Sequence, residues 1–235
     1  MGSALFVCAR NEIQGSRALI ARVPLSRFDE VYELDGNSTD GTREFWESHG
    51  ARAINHVRKG EIFPAACEAT RMENIVFFAP DGNENPDDID ALLGKLEAGW
   101  DMAIASRFLK GARNEESERM FPLRLWANRA FSLVVRLLWG GTVSDSINGF
   151  RAVKRSRLIQ LQLETTGFDI EFQTTIRGLK LGWKITEIPT YEGDRIGGKS
   201  SASSVRTGLL MLRRVFRELY IGTTFLRETE RSFSE

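Results

Sequence analysis

Short apolar runs that end in carboxylate-rich turns, each followed by a helical pattern, most constrain how this chain folds. Residues 4–9, ALFVCA, form a continuous apolar run, as expected of a strand covered on both faces. DEVYELD (29–35), ARAINHV (51–57), NIVFFAPD (74–81) and DMAIASRF (101–108) repeat it. Helical patterns lie between them: GSRALIARV, GTREFWESHG closed by Gly50, IFPAACEATRM and NPDDIDALLGKLEAG. In the last, Asn85 is placed to cap, Pro86 takes the first helical position, Asp87 and Asp88 face the positive end of the dipole, and Gly99 ends the helix. Strands alternating with helices predict crossover units and a mostly parallel sheet.

At 235 residues one domain is expected. Lys plus Arg equals Asp plus Glu, 32 each, so no bulk field draws the chain to nucleic acid. Cys8 and Cys67 sit in apolar surroundings and read as buried free thiols of a reducing compartment. The start MGSALFVCAR lacks the charged and apolar regions of a signal peptide. FSLVVRLLWGG is broken by Arg136 and falls short of the roughly 20 residues of a membrane span. A cytoplasmic protein, with peripheral contact to the inner membrane face, is the expectation.

In such a sheet, ligands bind outside the carboxyl ends of the strands. LDGNSTDGT lies at one such end, where small residues let backbone approach a ligand and Asp35 can accept hydrogen bonds from a base or ribose. The plainer reading is a polar turn with Thr39 or Asp40 as helix cap. FFAPDGNENPDD repeats the device. Asp81 and Asn83 offer hard oxygens suited to Mg²⁺ or Mn²⁺ sharing a diphosphate. Here too a Pro-Asp-Gly turn is the alternative.

The order of motifs resembles the inverting family 2 glycosyltransferases of the GT-A fold, closest to the dolichyl- or polyprenyl-phosphate sugar synthases. FVCARNEIQG, LDGNSTDGT, NHVRKGEIFPAACEA, FFAPDGNENPDDI, MAIASRFLKGA, SDSINGFRAVKRS, FDIEFQTTIRGLKLGWKITEIP and DRIGGKSS follow in family order over nearly the whole chain. The resemblance implies a Rossmann-like, mostly parallel mixed sheet flanked by helices. The single GT-A domain would span 1–204, with an amphipathic helix and tail over 205–235. It further implies that Asp35 binds the nucleotide, with Asn11, Glu12 and Lys59 beside it. Asp81 and Asn83 would hold Mg²⁺ or Mn²⁺. Arg195 would neutralise the leaving diphosphate, and Arg107 with Arg119 or Arg124 would bind the acceptor's phosphate, since an arginine fork matches phosphate oxygens. The plainer reading of each arginine is a solvated surface charge.

The chain departs from the pattern at three places. Ala79 stands for the first metal-site carboxylate, Gly36 for a second Asp, and Ser201 where close relatives often carry Lys. A phosphate acceptor, largely ionised with a second pKa of about 6, needs little help from a base. A sugar hydroxyl would need one, and Asp145 is the candidate. Its other role is to anchor the NGFRA loop. PLRLWANRAFSLVVRLLWGG and SVRTGLLMLRRVFRELY read as apolar-faced helices with arginines nearby. They either cover the core or lie against a leaflet that holds polyprenyl phosphate. The expected activity is hexose transfer from a GDP- or UDP-sugar to polyprenyl phosphate. The alternatives are transfer to a saccharide and a catalytically silent nucleotide-sugar-binding protein.

Overall fold

The computed structural model describes residues 1–55, 57–114, 123–164, 167–197 and 204–226; side chains at 114, 123, 124 and 204–206 lie outside that description. The elements, in chain order, are β1 (Ser3–Ala9), α1 (Ile13–Leu19), β2 (Glu30–Asp35), α2 (Thr42–Ser48), β3 (Arg52–Ile54), α3 (Ile62–Ala69), β4 (Asn74–Phe78), α4 (Ile89–Glu97), β5 (Met102–Ser106), β6 (Arg113–Asn114), α5 (Leu123–Trp139), β7 (Arg151–Lys154), α6 (Arg155–Ile159), α7 (Ile170–Lys180), β8 (Ile185–Pro189), β9 (Tyr191–Glu192) and α8 (Ser204–Ile221). They form a single α/β domain. Seven strands make the main sheet, in the order β3-β2-β1-β4-β7-β5-β8, and β6 pairs with β9.

The apolar runs are continuous because both faces of the sheet are covered. Leu5, Val7, Val76 and Phe78 point to one side, against Leu92, Leu93 and Leu96 of α4 and Trp46 of α2. Ala4, Phe6, Ile75 and Phe77 point to the other, against Ile62, Phe63 and Ala66 of α3. The cap expected at Asn85 is present: its Oδ1 accepts the Asp87 N–H at 3.4 Å. It starts a 3₁₀ turn, Pro86–Asp88, that leads into α4. Gly50 and Gly99 end their helices with positive φ.

Four strands, β6 to β9, lie beyond the sequence reading, and β7 matters most for the site. β7 inserts between β4 and β5 and runs antiparallel to both. It is four residues long, and Arg151 in it is wholly buried. That guanidinium donates to the Asn148 carbonyl at 2.9 Å and to the Glu171 carbonyl at 3.1 Å. Because β7 runs backwards, its entrance lies at the edge where β1, β2, β4 and β5 end. Arg151 is in register with Phe77 and Ile104. The loop 144–150 is thereby brought beside the carboxyl ends. β8, parallel to β5, delivers Thr190 and Glu192 to the same edge.

A third apolar cluster joins α5, α7 and α8 through Val135, Phe172, Ile176, Met211 and Val215. Charge reinforces it. Glu218 of α8, fully buried, accepts from Arg177 at 3.0 Å and Lys180 at 2.6 Å of α7. Removing one partner of such a buried group leaves an uncompensated charge, so α8 is tied firmly to α7.

Candidate active site

The ends of β1 and β2 are knitted together. Asp35 accepts the backbone N–H groups of Asn37 at 3.1 Å and Ser38 at 3.0 Å, so its carboxylate shapes the turn. Asn11 holds that turn from across the gap, its Oδ1 accepting the Thr39 N–H at 2.8 Å. Asp40 accepts from Ile13 N–H at 3.2 Å and Thr42 N–H at 3.0 Å. Neither Asp35 nor Asn11 lines the cavity beside this platform; Gly36 and Asn37 do. Gly36 is required there, since a Cβ would come within 2.9 Å of Arg10 Cβ.

That cavity, about 1140 Å³, extends from these strand ends to the starts of α5 and α8. Of the residues expected to act, it brings together Glu12, Lys59, Asp81, Asn83, Arg107 and Arg195. Arg119 and the side chain of Arg124 lie outside the described residues. Lys59 gives its ammonium to Glu171 at 2.5 Å.

Arg195 stands between two carboxylates, bonding Asp81 Oδ2 at 2.7 Å through Nη1 and Glu12 Oε1 through Nη2. Burial pushes the Glu12 carboxyl up; Arg195 opposes and Asp81 adds, leaving it at about 7. Its Oε2 is buried without a partner. The arginine rides on a strap, residues 193–197, bonded to the Asp81 turn by Ile196 N–H to Asp81 O at 2.7 Å and Gly193 N–H to Asn83 O at 3.2 Å. Gly82, at φ +96°, lies beneath it, and a Cβ there would meet Ile196 and Asp194 within 2.8 Å.

Arg107 is held differently. Its Nε and Nη2 donate to the two oxygens of Asp145 at 2.7 and 2.9 Å, and Nη1 reaches Glu192 at 3.5 Å. Burial pushes the Asp145 carboxyl up, but the Arg107 guanidinium and N–H donors outweigh it and hold it below the usual range. Asp145 is fully buried and lies outside the cavity wall. The expected choice between base and anchor therefore tilts to anchor. A carboxylate bonded on both oxygens and held ionised orients the arginine and is a poor proton acceptor.

Sequence reasoning passed over Glu84, Glu171 and Glu192, which also line the cavity. Glu84 stood in the motif DGNEN, but its inward course depends on how that turn folds back on Ala79.

No protein-family model matches the chain. Among solved structures, it is similar to glucosyl-3-phosphoglycerate synthase from Mycobacterium tuberculosis in complex with Mn²⁺, UDP and glucosyl-3-phosphoglycerate. The TM-score is 0.67 at 21% identity, covering 91% of this chain and 77% of that one. This likeness shows the fold. Among curated proteins, the glycosyltransferase AglJ of Haloferax volcanii is 28% identical over 197 residues, 82% of this chain and 62% of that protein. Polyprenol monophosphomannose synthase of Mycolicibacterium smegmatis is 29% identical over 135 residues, 55% of this chain and 49% of that one. The dolichyl-phosphate hexose transferase of Haloferax volcanii is 31% identical over 171 residues, 72% of each chain. The chain belongs to the family 2 glycosyltransferases. This glycosyltransferase spans 62% and 49% of the lengths of the first two relatives.

A divalent cation is implied by this fold, and the residues fit one. Among the described residues no cluster of three or more His, Cys, Asp and Glu side chains is set to hold a metal by itself. Asp81 and Asn83 supply hard oxygens, and a diphosphate would complete the set. The orphaned Glu12 oxygen and the guanidinium bridging Glu12 and Asp81 mark a place that stabilises positive charge.

Proposed function

We propose that this glycosyltransferase moves a hexose from a GDP- or UDP-linked sugar to a polyprenyl phosphate, inverting the anomeric carbon. The observation that carries the reading is where the cavity leads. It runs from Asp81 and Arg195, with Arg107 in its wall, to Phe131 of α5 and Met211 of α8. The surface around that end has an unusual composition. Over its 17 residues α5 has no acid, and the one acid of α8, Glu218, is buried. Leu137 and Phe216 are 75% and 64% exposed, and Arg129, Arg136, Arg213 and Arg217 are exposed among such residues. Apolar side chains studded with arginines, on two helices that expose no acid of their own, complement an anionic lipid surface, although Glu164 beside α8 pairs with Arg217. The names of two relatives, dolichyl-phosphate hexose transferase and polyprenol monophosphomannose synthase, support the same acceptor class.

In this reading the acceptor phosphate takes the place of Glu192 at Nη1 of Arg107, whose other nitrogens Asp145 keeps aligned. Already ionised, the phosphate attacks without a protein base. Arg195 leaves Asp81 and Glu12 for the diphosphate, where negative charge develops as the sugar bond breaks. A cation held by Asp81 and Asn83 would supply further neutralisation. Among the described residues no helix is long and apolar enough to cross a membrane.

Radiolabelled sugar from a panel of GDP- and UDP-hexoses, offered with polyprenyl phosphate and Mn²⁺, tests the proposal. The label is expected in organic-extractable lipid. Label found only in water-soluble saccharide overturns the lipid acceptor.

A further inference from the structure

The pair of carboxylates expected at the end of β4 is reduced to one, because residue 79 carries only a methyl group. The structure brings a carboxyl to the backbone of residue 79 from further along the chain. Glu84 folds back across the turn, and its Oε2 accepts the backbone N–H of Ala79 at 2.6 Å. The turn enforces this course. Asn83 N–H is held by Asp81 Oδ1 at 3.0 Å, Gly82 is pressed under the strap, and Asn85 faces outward to Arg22 at 2.5 Å. Glu84, between them, turns inward and lines the cavity with Asp81 and Asn83.

We infer that Glu84 replaces the carboxylate missing at position 79 and serves, with Asp81, as an oxygen ligand to the divalent cation that accompanies the donor diphosphate. The inference rests on the proposed function, which supplies the cation and the diphosphate. An independent feature of the same cavity also calls for a cation. Glu12, 6% exposed, has an oxygen with no partner there, and Arg195 is shared between it and Asp81. Once that arginine turns to the diphosphate, Glu12, Asp81 and Glu84 are left facing further negative charge. A cation that enters with the donor offsets that crowding of acidic groups. Two protein carboxylates suffice, because phosphate oxygens and water complete the shell around Mg²⁺ or Mn²⁺.

The competing role is a strut: Glu84 merely ties down Ala79. Glu84→Gln separates the two, since the amide oxygen still accepts the Ala79 N–H while the charged ligand is lost. Mn²⁺ is titrated into the full chain with UDP or with GDP, and free Mn²⁺ is followed by electron paramagnetic resonance. Glu84→Gln is expected to weaken Mn²⁺ binding about tenfold or more, in the direction of Asp81→Asn, with its metal-free melting temperature retained. Adding Ala79→Asp to Glu84→Gln is expected to recover much of the affinity. Should Glu84→Gln fail to fold, Glu84→Asp carries the same test, its shorter reach lowering the affinity. Undiminished Mn²⁺ binding in the folded variant, beside a loss in Asp81→Asn, overturns the role of Glu84 and leaves the proposed function standing. A wild-type chain that takes up no Mn²⁺ with either nucleotide overturns both.

Discussion

Two arginines, Arg107 and Arg195, face the same cavity and are held in opposite ways. Arg107 leaves a strand end, is 8% exposed and is gripped by both oxygens of a fully buried Asp145. Asp145 in turn receives the backbone N–H of Arg107, and its own N–H goes to Glu187. Arg195 sits on a strap, is 25% exposed and touches one oxygen each of Asp81 and Glu12. Both of those acids line the cavity. The first arrangement is scaffolding for a guanidinium that must not move. In the proposed reading the second is a provisional contact, given up when the diphosphate arrives. A buried charge with a dedicated partner is preorganised; one that borrows its partners is exchangeable.

The comparison breaks if the two pairs prove equally structural. Asp145→Ala leaves a buried guanidinium short of its main partner and is expected to cost about 3–5 kcal/mol of stability in urea unfolding. Arg195→Ala is expected to leave the urea midpoint nearly unchanged but to lower kcat about 10²–10³-fold, the usual cost of losing a donor to a leaving charge. Equal unfolding losses in the two variants would erase the distinction. Arg107→Lys keeps the charge beside Asp145 but loses the fork; acceptor KM is expected to rise about tenfold, the loss of one charge-assisted contact, with donor KM little changed.

A third buried acid sharpens the contrast. Glu33 of β2 is fully buried, and neither of its oxygens has a hydrogen-bond partner. Burial and then Asp35 push its carboxyl up to about 8, opposite in direction to Asp145. The folded chain therefore binds this proton more tightly than the unfolded one. Its contribution is intact below about 4.5 and is lost as pH rises through about 8. Glu33→Gln is expected to match the wild type near pH 4 and to exceed it by about 1–3 kcal/mol at pH 8.5. Identical melting curves at both pH values would show that Glu33 finds a partner in solution.

Much of this was legible because strands covered on both faces must be apolar throughout, and β1, β4 and β5 announce themselves so. Asp81, Arg107 and Arg195 were legible as positions in motifs. The contacts that decide their behaviour were not. Asp145 is 38 residues from Arg107, and only the antiparallel course of β7 brings its loop alongside. β7 itself, with arginine at one end and lysine at the other, lacks the strand signature, since a buried arginine satisfied by carbonyls looks like a surface residue in sequence. Asp35 illustrates the converse. Its position pointed to a ligand, and its oxygens also accept the N–H groups of the turn that offers Gly36 and Asn37 to the cavity.

The reversed strand has one more consequence. β7 forms a seam. β1, β2 and β4 on one flank deliver the platform and the Asp81 turn, while β5 and β8 on the other deliver Arg107 and Glu192. The two flanks are joined by β7, by the packing of α4 across them and by the strap 193–197 bonded to the Asp81 turn. Side chains drawn from both flanks therefore close over one cavity, and a change on either flank reaches the other through the strap.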